Sequence, residues 1–204
     1  MTAKFIEMRA HDLGNRFRQR RMQRFLALLP TVIDRPVRIL DIGGTAPYWH
    51  ALPGLYARQD VEITVVNLGD REFDDANLRV RKGDARDLPE FRDSSFDLVH
   101  SNSVIEHVGS WADMQRMASE VRRLAPRYFI QTPNYWFPIE PHYKLPFVQF
   151  LPSPIRSRVR DKVWPDHSIE LIAARQMRAL FPDAVVERER FAGLTKSLIA
   201  VRQG

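Results

Sequence analysis

A short apolar run, Val37 to Ile42, ends directly on Gly43-Gly44, and this junction constrains the chain more than any other stretch. The order Val-Arg-Ile-Leu-Asp-Ile suits a strand buried within a sheet. Two glycines straight after it permit a tight turn in which backbone closely approaches whatever is bound there. Open α/β sheets place their ligands at the carboxyl ends of strands, so Asp41, Gly43 and Gly44 are the first candidate site residues. Alone, Asp-x-Gly-Gly also suits a purely structural turn.

The same alternation continues downstream. Further strands are expected at Glu62–Leu68, Leu78–Lys82, Phe96–Ser101 and Arg127–Thr132, and a closing hairpin at Val185–Phe191 and Leu194–Val201 turns across Ala192-Gly193. The chain of 204 residues accommodates one α/β domain. The expected fold is a three-layer, Rossmann-like, seven-stranded sheet, mostly parallel with an antiparallel C-terminal strand. An N-terminal helical extension over 1–36 holds an amphipathic helix at 15–29, with Phe17, Met22, Phe25, Leu26 and Leu29 on one stripe and Pro30 as its stop. Ser110 and Asp113 form a capping-box pattern ahead of Trp111, Met114, Met117, Val121 and Leu124, which recur at helical spacing up to Pro126. Another helix is expected from Ser168 to Leu180, stopped by Pro182. Residues 134–165 are too rich in proline for a regular element, and their aromatic groups suggest an insert that covers the substrate as a lid.

Composition narrows the classes. Apolar residues at 44% and charged residues at 27% describe an ordinary globular chain. With no run of about 18 apolar residues and no apolar stretch in Met1–Glu7, a cytoplasmic protein is expected. The lack of cysteine excludes disulfides, thiolate metal sites and a cysteine nucleophile. Six histidines are scattered with no close pair at ligand spacing, so no metal is expected. The net charge of +6 concentrates in Arg16, Arg18, Arg20, Arg21 and Arg24 and in Arg156, Arg158 and Arg160. A solvated basic helix face accounts for this more simply than a nucleic-acid surface does.

From about Val37 to Val201 the sequence resembles the class I S-adenosylmethionine-dependent methyltransferases, and four ordered segments carry the resemblance. Arg38-Ile-Leu-Asp-Ile-Gly-Gly44 resembles the family's first motif, with the glycine turn under the methionine part of the cofactor. Ile63-Thr-Val-Val-Asn67 resembles the second strand, whose last side chain binds the ribose hydroxyls. Gly83-Asp84-Ala85-Arg86-Asp87-Leu88-Pro89 resembles the third motif, which implies that Asp84 accepts from the adenine amino group and that Ala85 offers its backbone. The segment from Phe96 through Ser101 to His107 resembles the fourth. A Rossmann dehydrogenase is disfavoured, since Gly-x-Gly-x-x-Gly is absent after the first strand.

Two departures from the family pattern stand out. Thr45 and Pro47 occupy the later positions of the glycine series, implying a short helix before Pro53, and Asn67 replaces the usual acid, with Asp70 or Glu72 as the alternative ribose contact. The resemblance implies S-adenosylmethionine as cofactor and methyl transfer to a hydroxyl, less readily an amine, of a small molecule or saccharide. His107 and His142 are the candidate proton acceptors, with Glu106 and Glu140 beside them. Some bacterial methyltransferases of this type have a similar Thr-Pro-Asn strand end and Phe-Pro-x-Glu-Pro-His insert, and many of these modify saccharides or small metabolites. The expected acceptor is therefore a small molecule or saccharide, on which Tyr135 and Trp136 could stack, with peripheral membrane contact through 137–151 and a monomer or homodimer as further expectations. A nucleic-acid-binding or RNA-methylating protein of the same fold, or a non-catalytic scaffold, are the alternatives.

Overall fold

The computed structural model describes residues 17, 19–29, 34–52, 55, 58–69, 71–140, 142–143, 145–163 and 169–204. Strands β1 (Val37–Ile42), β2 (Val61–Asn67), β3 (Phe73–Asp75), β4 (Leu78–Lys82), β5 (Leu98–Asn102), β6 (Arg127–Pro133), β9 (Val185–Phe191) and β10 (Leu194–Arg202) form one eight-stranded sheet in the order β3-β4-β2-β1-β5-β6-β10-β9. The strands β4, β2, β1, β5 and β6 are mutually parallel. β10 runs antiparallel to both β6 and β9. The expected seven strands are present; the eighth is β3, a three-residue edge strand antiparallel to β4 that is too short and too polar to show a pattern.

Both sheet faces are covered, and β1 shows why its sequence is nearly all apolar. Leu40 and Ile42 enter one core with Met114, Met117 and Val121 of α3 (Trp111–Leu124) and Met177 and Leu180 of α5 (Ala174–Leu180). Val37 and Ile39 enter the other with Met22, Phe25 and Leu28 from the N-terminal helical segment and Trp49 of α2 (Ala46–His50). The N-terminal segment, α1, is helical over 19–26. Its buried stripe uses Phe17, Met22, Phe25 and Leu28, whereas Leu26 and Leu29 are only half-buried. Pro30 lies outside the described residues, as do Arg16, Arg18, Pro53, Asp70 and Ser168.

Three further expectations are corrected. In α3, the capping box of Ser110 and Asp113 is formed, but Trp111 is 37% exposed and Ala118 takes the place in the core stripe. α5 begins at Ala174, because the preceding chain is held extended, with Ile172 bridging Asn134 beside β6. The insert is not wholly irregular. It contains a two-strand hairpin of β7 (Ile139–Glu140) and β8 (Leu145–Pro146), and then the helix α4 (Ser153–Val163). Pro154 is tolerated there because the first helical turn has backbone N–H groups without intrahelical partners.

Candidate active site

The carboxyl ends of β4, β2, β1 and β5 lie side by side and carry the glycine turn and its neighbours. Gly43 has φ +73°, and its amide donates to the Val66 carbonyl at 2.7 Å. A Cβ on Gly43 would stand 2.5 Å from Val104, and one on Gly44 would stand 1.6 Å from Asp41 Oδ2. Both glycines are thus required sterically, Gly43 also by its left-handed backbone. The turn borders a cavity of about 600 Å³ lined by Gly43, Gly44, Thr45, Pro47, Tyr48, His100 and Asn102.

Asp41 is buried beneath that turn. Its Oδ2 accepts from Trp49 Nε1 at 2.7 Å and its Oδ1 from His100 Nδ1 at 2.7 Å. His100 is the register partner of Asp41 across β1 and β5, so both side chains project from the same sheet face. Phe25 packs edge-on to the imidazole, while Phe129 and Tyr48 stack on it. Neither Trp49 nor His100 was among the residues singled out by sequence. Strand alternation was the available signal for His100, because it lies immediately before Ser101 and opposite Asp41. Ser101 faces the other way and is fully buried, its hydroxyl donating to the Ile42 carbonyl at 2.9 Å.

Asn67 uses its extra donor. Its Nδ2 donates to the Gly44 carbonyl at 3.0 Å, tying the end of β2 to the glycine turn, a bond an aspartate cannot make. Glu72, the alternative ribose contact, instead accepts from the Lys82 amide at 3.0 Å. The Gly83 amide donates to the Asn67 carbonyl at 3.1 Å and brings Asp84 and Ala85 alongside. Asp84 accepts from the Arg86 amide and guanidinium at 2.5–3.0 Å, and the guanidinium holds its carboxyl below the usual range. Ala85 packs against the α3-side core.

A second cluster stands beyond the turn. Val104, which packs on Gly43, leads into the short 3-10 helix Ile105–His107. His107 Nε2 lies 3.0 Å from Nε2 of His142, although the two residues are 35 positions apart. His142 donates from Nδ1 to Glu140 Oε1 at 2.6 Å, and the Tyr143 amide donates to Glu140 Oε2 at 2.6 Å. Glu106 is fully buried; Oε2 accepts from the Thr132 hydroxyl at 3.0 Å, while Oε1 has no hydrogen-bond partner and sits 3.8 Å from His142 Nε2. Burial pushes this carboxyl up to about 7. The histidines that seemed scattered along the chain therefore include a close pair, formed when the start of the insert folds back over the end of β5.

Among the described arginines of the basic helix, Arg20 and Arg24 are exposed, as a solvated face would have them, while Arg21 is not. Arg21 donates to Asn102 Oδ1 at 2.6 Å, to Gln131 Oε1 at 2.8 Å and to Glu189 at 3.0 Å, and Arg24 pairs with Glu187 at 2.6 Å. These arginines fasten α1 to β5, β6 and β9. Among the described residues, no helix is long and apolar enough to cross a membrane.

Residues 40–127, which span β1 through the start of β6, match the family described as a methyltransferase domain. That match covers 88 of the 204 residues and marks a methyltransferase domain over that span. This methyltransferase has S-adenosylmethionine as its cofactor. Among solved structures, a chain from the complex between the Haloferax volcanii Trm112 methyltransferase activator and a candidate methyltransferase has a TM-score of 0.59 at 18% identity, covering 97% of this chain and 94% of that one. An S-adenosylmethionine-dependent methyltransferase from Mesorhizobium loti has a TM-score of 0.59 at 15% identity, covering 88% and 96%. Phosphoethanolamine N-methyltransferase 2 of Haemonchus contortus, solved with S-adenosylmethionine, has a TM-score of 0.52 at 19% identity, covering 82% of this methyltransferase and 37% of that chain. At such identities the likeness is one of fold. No curated protein sequence matches.

Proposed function

We propose that the methyltransferase transfers its methyl group to a hydroxyl of a small molecule or saccharide, with His107 and His142 handling the acceptor's proton. The observation that carries this reading is the His107–His142 pair, 3.0 Å apart, at the end of β5 beyond the glycine turn. Bound S-adenosylmethionine supplies a methyl group already activated by its sulfonium. The protein must then align the acceptor, keep water out and take up a proton, because an alcohol is a poor nucleophile until its proton has somewhere to go. Glu140 accepts from His142 Nδ1 and so turns its Nε2 toward His107 and Glu106.

In the same reading the Gly43 and Gly44 backbone receives the methionine part of the cofactor, Asn67 the ribose, and Asp84 and the Ala85 backbone the adenine. Arg86 donates to both oxygens of Asp84, so the adenine amino group shares that carboxylate with the guanidinium. Asp41 and Ser101 act from beneath, by holding the turn and the end of β5 in place. The acceptor rests on the insert, where Trp136 is 65% exposed and stacks on Phe150 with centroids 5.8 Å apart, a flat apolar surface suited to a sugar ring. Exposed Phe147, whose ring lies beside Phe150, extends this surface, which would also allow a lipid-linked acceptor to be taken from a membrane.

Calorimetric titration with S-adenosylmethionine tests the cofactor half: Asp84→Ala should weaken binding at least tenfold. His142→Ala should leave that affinity unchanged and reduce transfer to the acceptor in a screen of saccharides, phenols and amines with labelled cofactor. Cofactor affinity unmoved by Asp84→Ala, or full transfer by His142→Ala, would overturn the respective assignment.

A further inference from the structure

We infer that Glu106, His107 and His142 form a binding site for a divalent transition-metal ion, with at least one coordination position open toward the acceptor. The inference deepens the reading above and rests on it only for the metal's use in catalysis; the binding site stands on geometry. One ligand atom from each of Glu106, His107 and His142 lies within 4.8 Å of the other two. Ligand atoms at about 2.0–2.2 Å from a tetrahedral zinc ion stand about 3.3–3.6 Å apart. The observed separations of 3.0 Å between the two Nε2 atoms and 3.8 Å between His142 Nε2 and Glu106 Oε1 bracket that range.

Three features support the assignment together. The unbonded oxygen is Glu106 Oε1, on a fully buried carboxyl, and a buried polar atom without a partner is costly unless a ligand supplies one. The Nδ1–H of His142 is donated to Glu140, itself buried and fixed by the Tyr143 amide. This is the outer arrangement that orients a metal-binding imidazole and raises its basicity. The other oxygen of Glu106 is held by Thr132, which sets the plane of the carboxylate. A histidine–histidine hydrogen bond alone would account for the 3.0 Å distance, but it leaves Glu106 Oε1 unexplained. Two imidazoles and one carboxylate suit zinc, cobalt, nickel or iron; magnesium and calcium prefer all-oxygen sets.

An acceptor hydroxyl bound at the open position would lose its proton to solvent more readily, as metal-bound water does. Its oxygen would then form the C–O bond while the C–S bond breaks and that electron pair returns to sulfur. With the metal bound, both Nε2 lone pairs are engaged, so the ion takes over the task given above to the histidines.

The test uses untagged, chelator-treated protein titrated with zinc chloride and cobalt chloride. One ion per chain is expected, with X-ray absorption of the wild-type zinc complex showing two imidazole ligands and oxygen. Glu106→Gln and His142→Ala should each lower zinc affinity at least tenfold with the fold retained by circular dichroism, and excess magnesium should not compete. Zinc affinity unchanged in folded Glu106→Gln, an imidazole count other than two, or no binding at millimolar zinc would overturn the site. Each of those outcomes with cofactor binding intact leaves the methyltransferase reading standing, because that reading fails on the cofactor titration instead.

Discussion

Asp41 and His100 face each other across adjacent parallel strands with 2.7 Å between carboxylate oxygen and Nδ1, and both are shut away from solvent beneath the glycine turn. With Trp49 on its second oxygen, Asp41 has both oxygens engaged by the protein itself. Asp41→Ala leaves two buried N–H groups unpaired and should cost about 3 kcal/mol. Urea unfolding measures it; a loss below about 1 kcal/mol would show that the triad is not structural.

Gly43→Ala should abolish measurable cofactor affinity, since its Cβ meets Val104 in a left-handed backbone. Adding Val104→Ala removes the two nearest side-chain atoms but not the backbone strain. Partial recovery of S-adenosylmethionine binding is therefore expected in the double variant, a coupling read directly from a double-mutant cycle. No coupling would mean that Val104 does not shape the turn.

The loop that carries Asp84 and Ala85 is tied down by α3. Glu120 accepts from the Leu88 amide at 3.0 Å and pairs with Arg123, which also donates to the Leu88 carbonyl. The hydrogen bond from Arg123 is the main cause holding the Glu120 carboxyl below its ordinary value. A depressed folded-state value means that the contribution to stability is present above the unfolded carboxyl's pKa of about 4.3 and is lost as pH falls through the folded one. Glu120→Gln should therefore flatten the acid limb of the stability–pH curve below about pH 4 while lowering the plateau. An unchanged acid limb would remove this pair from the account.

Trp136 is exposed and, among the described residues, its ring contacts are Tyr135 and Phe150 of the insert, so Trp136→Ala should move stability by less than about 0.5 kcal/mol. Acceptor KM should rise about tenfold, the scale of one lost aromatic contact, with cofactor affinity unchanged. A rise in cofactor Kd instead would place the side chain at the wrong ligand.

Much of the sheet was legible because its signal is local. Val37–Ile42 and the closing hairpin announce themselves by apolar content and a flanking glycine turn, and they fold within a residue of where their pattern begins and ends. β3 and the start of α5 were not legible, since β3 exists through pairing with β4 and residues 169–173 are held extended by a neighbour rather than by their own preference. The glycine turn could be found from sequence, whereas its support could not. Trp49, His100 and Asn67 act through partners on other strands, and no spacing rule reports that Asn67 will reach the Gly44 carbonyl. His107 and His142 were each visible, and their pairing was not, because it depends on how a proline-rich insert folds back.

The strand β10 is made after β9 yet lies between β9 and β6. Until β10 arrives, β9 has no sheet partner among the described strands, and β6 presents a bare edge beside the start of the insert. A nascent chain can therefore assemble the cofactor half early, from β1 through β6, while the acceptor half stays unfinished until synthesis has passed residue 202. During that interval the open edge of β6 is the part of this protein that a chaperone, or another copy's stray strand, would meet first.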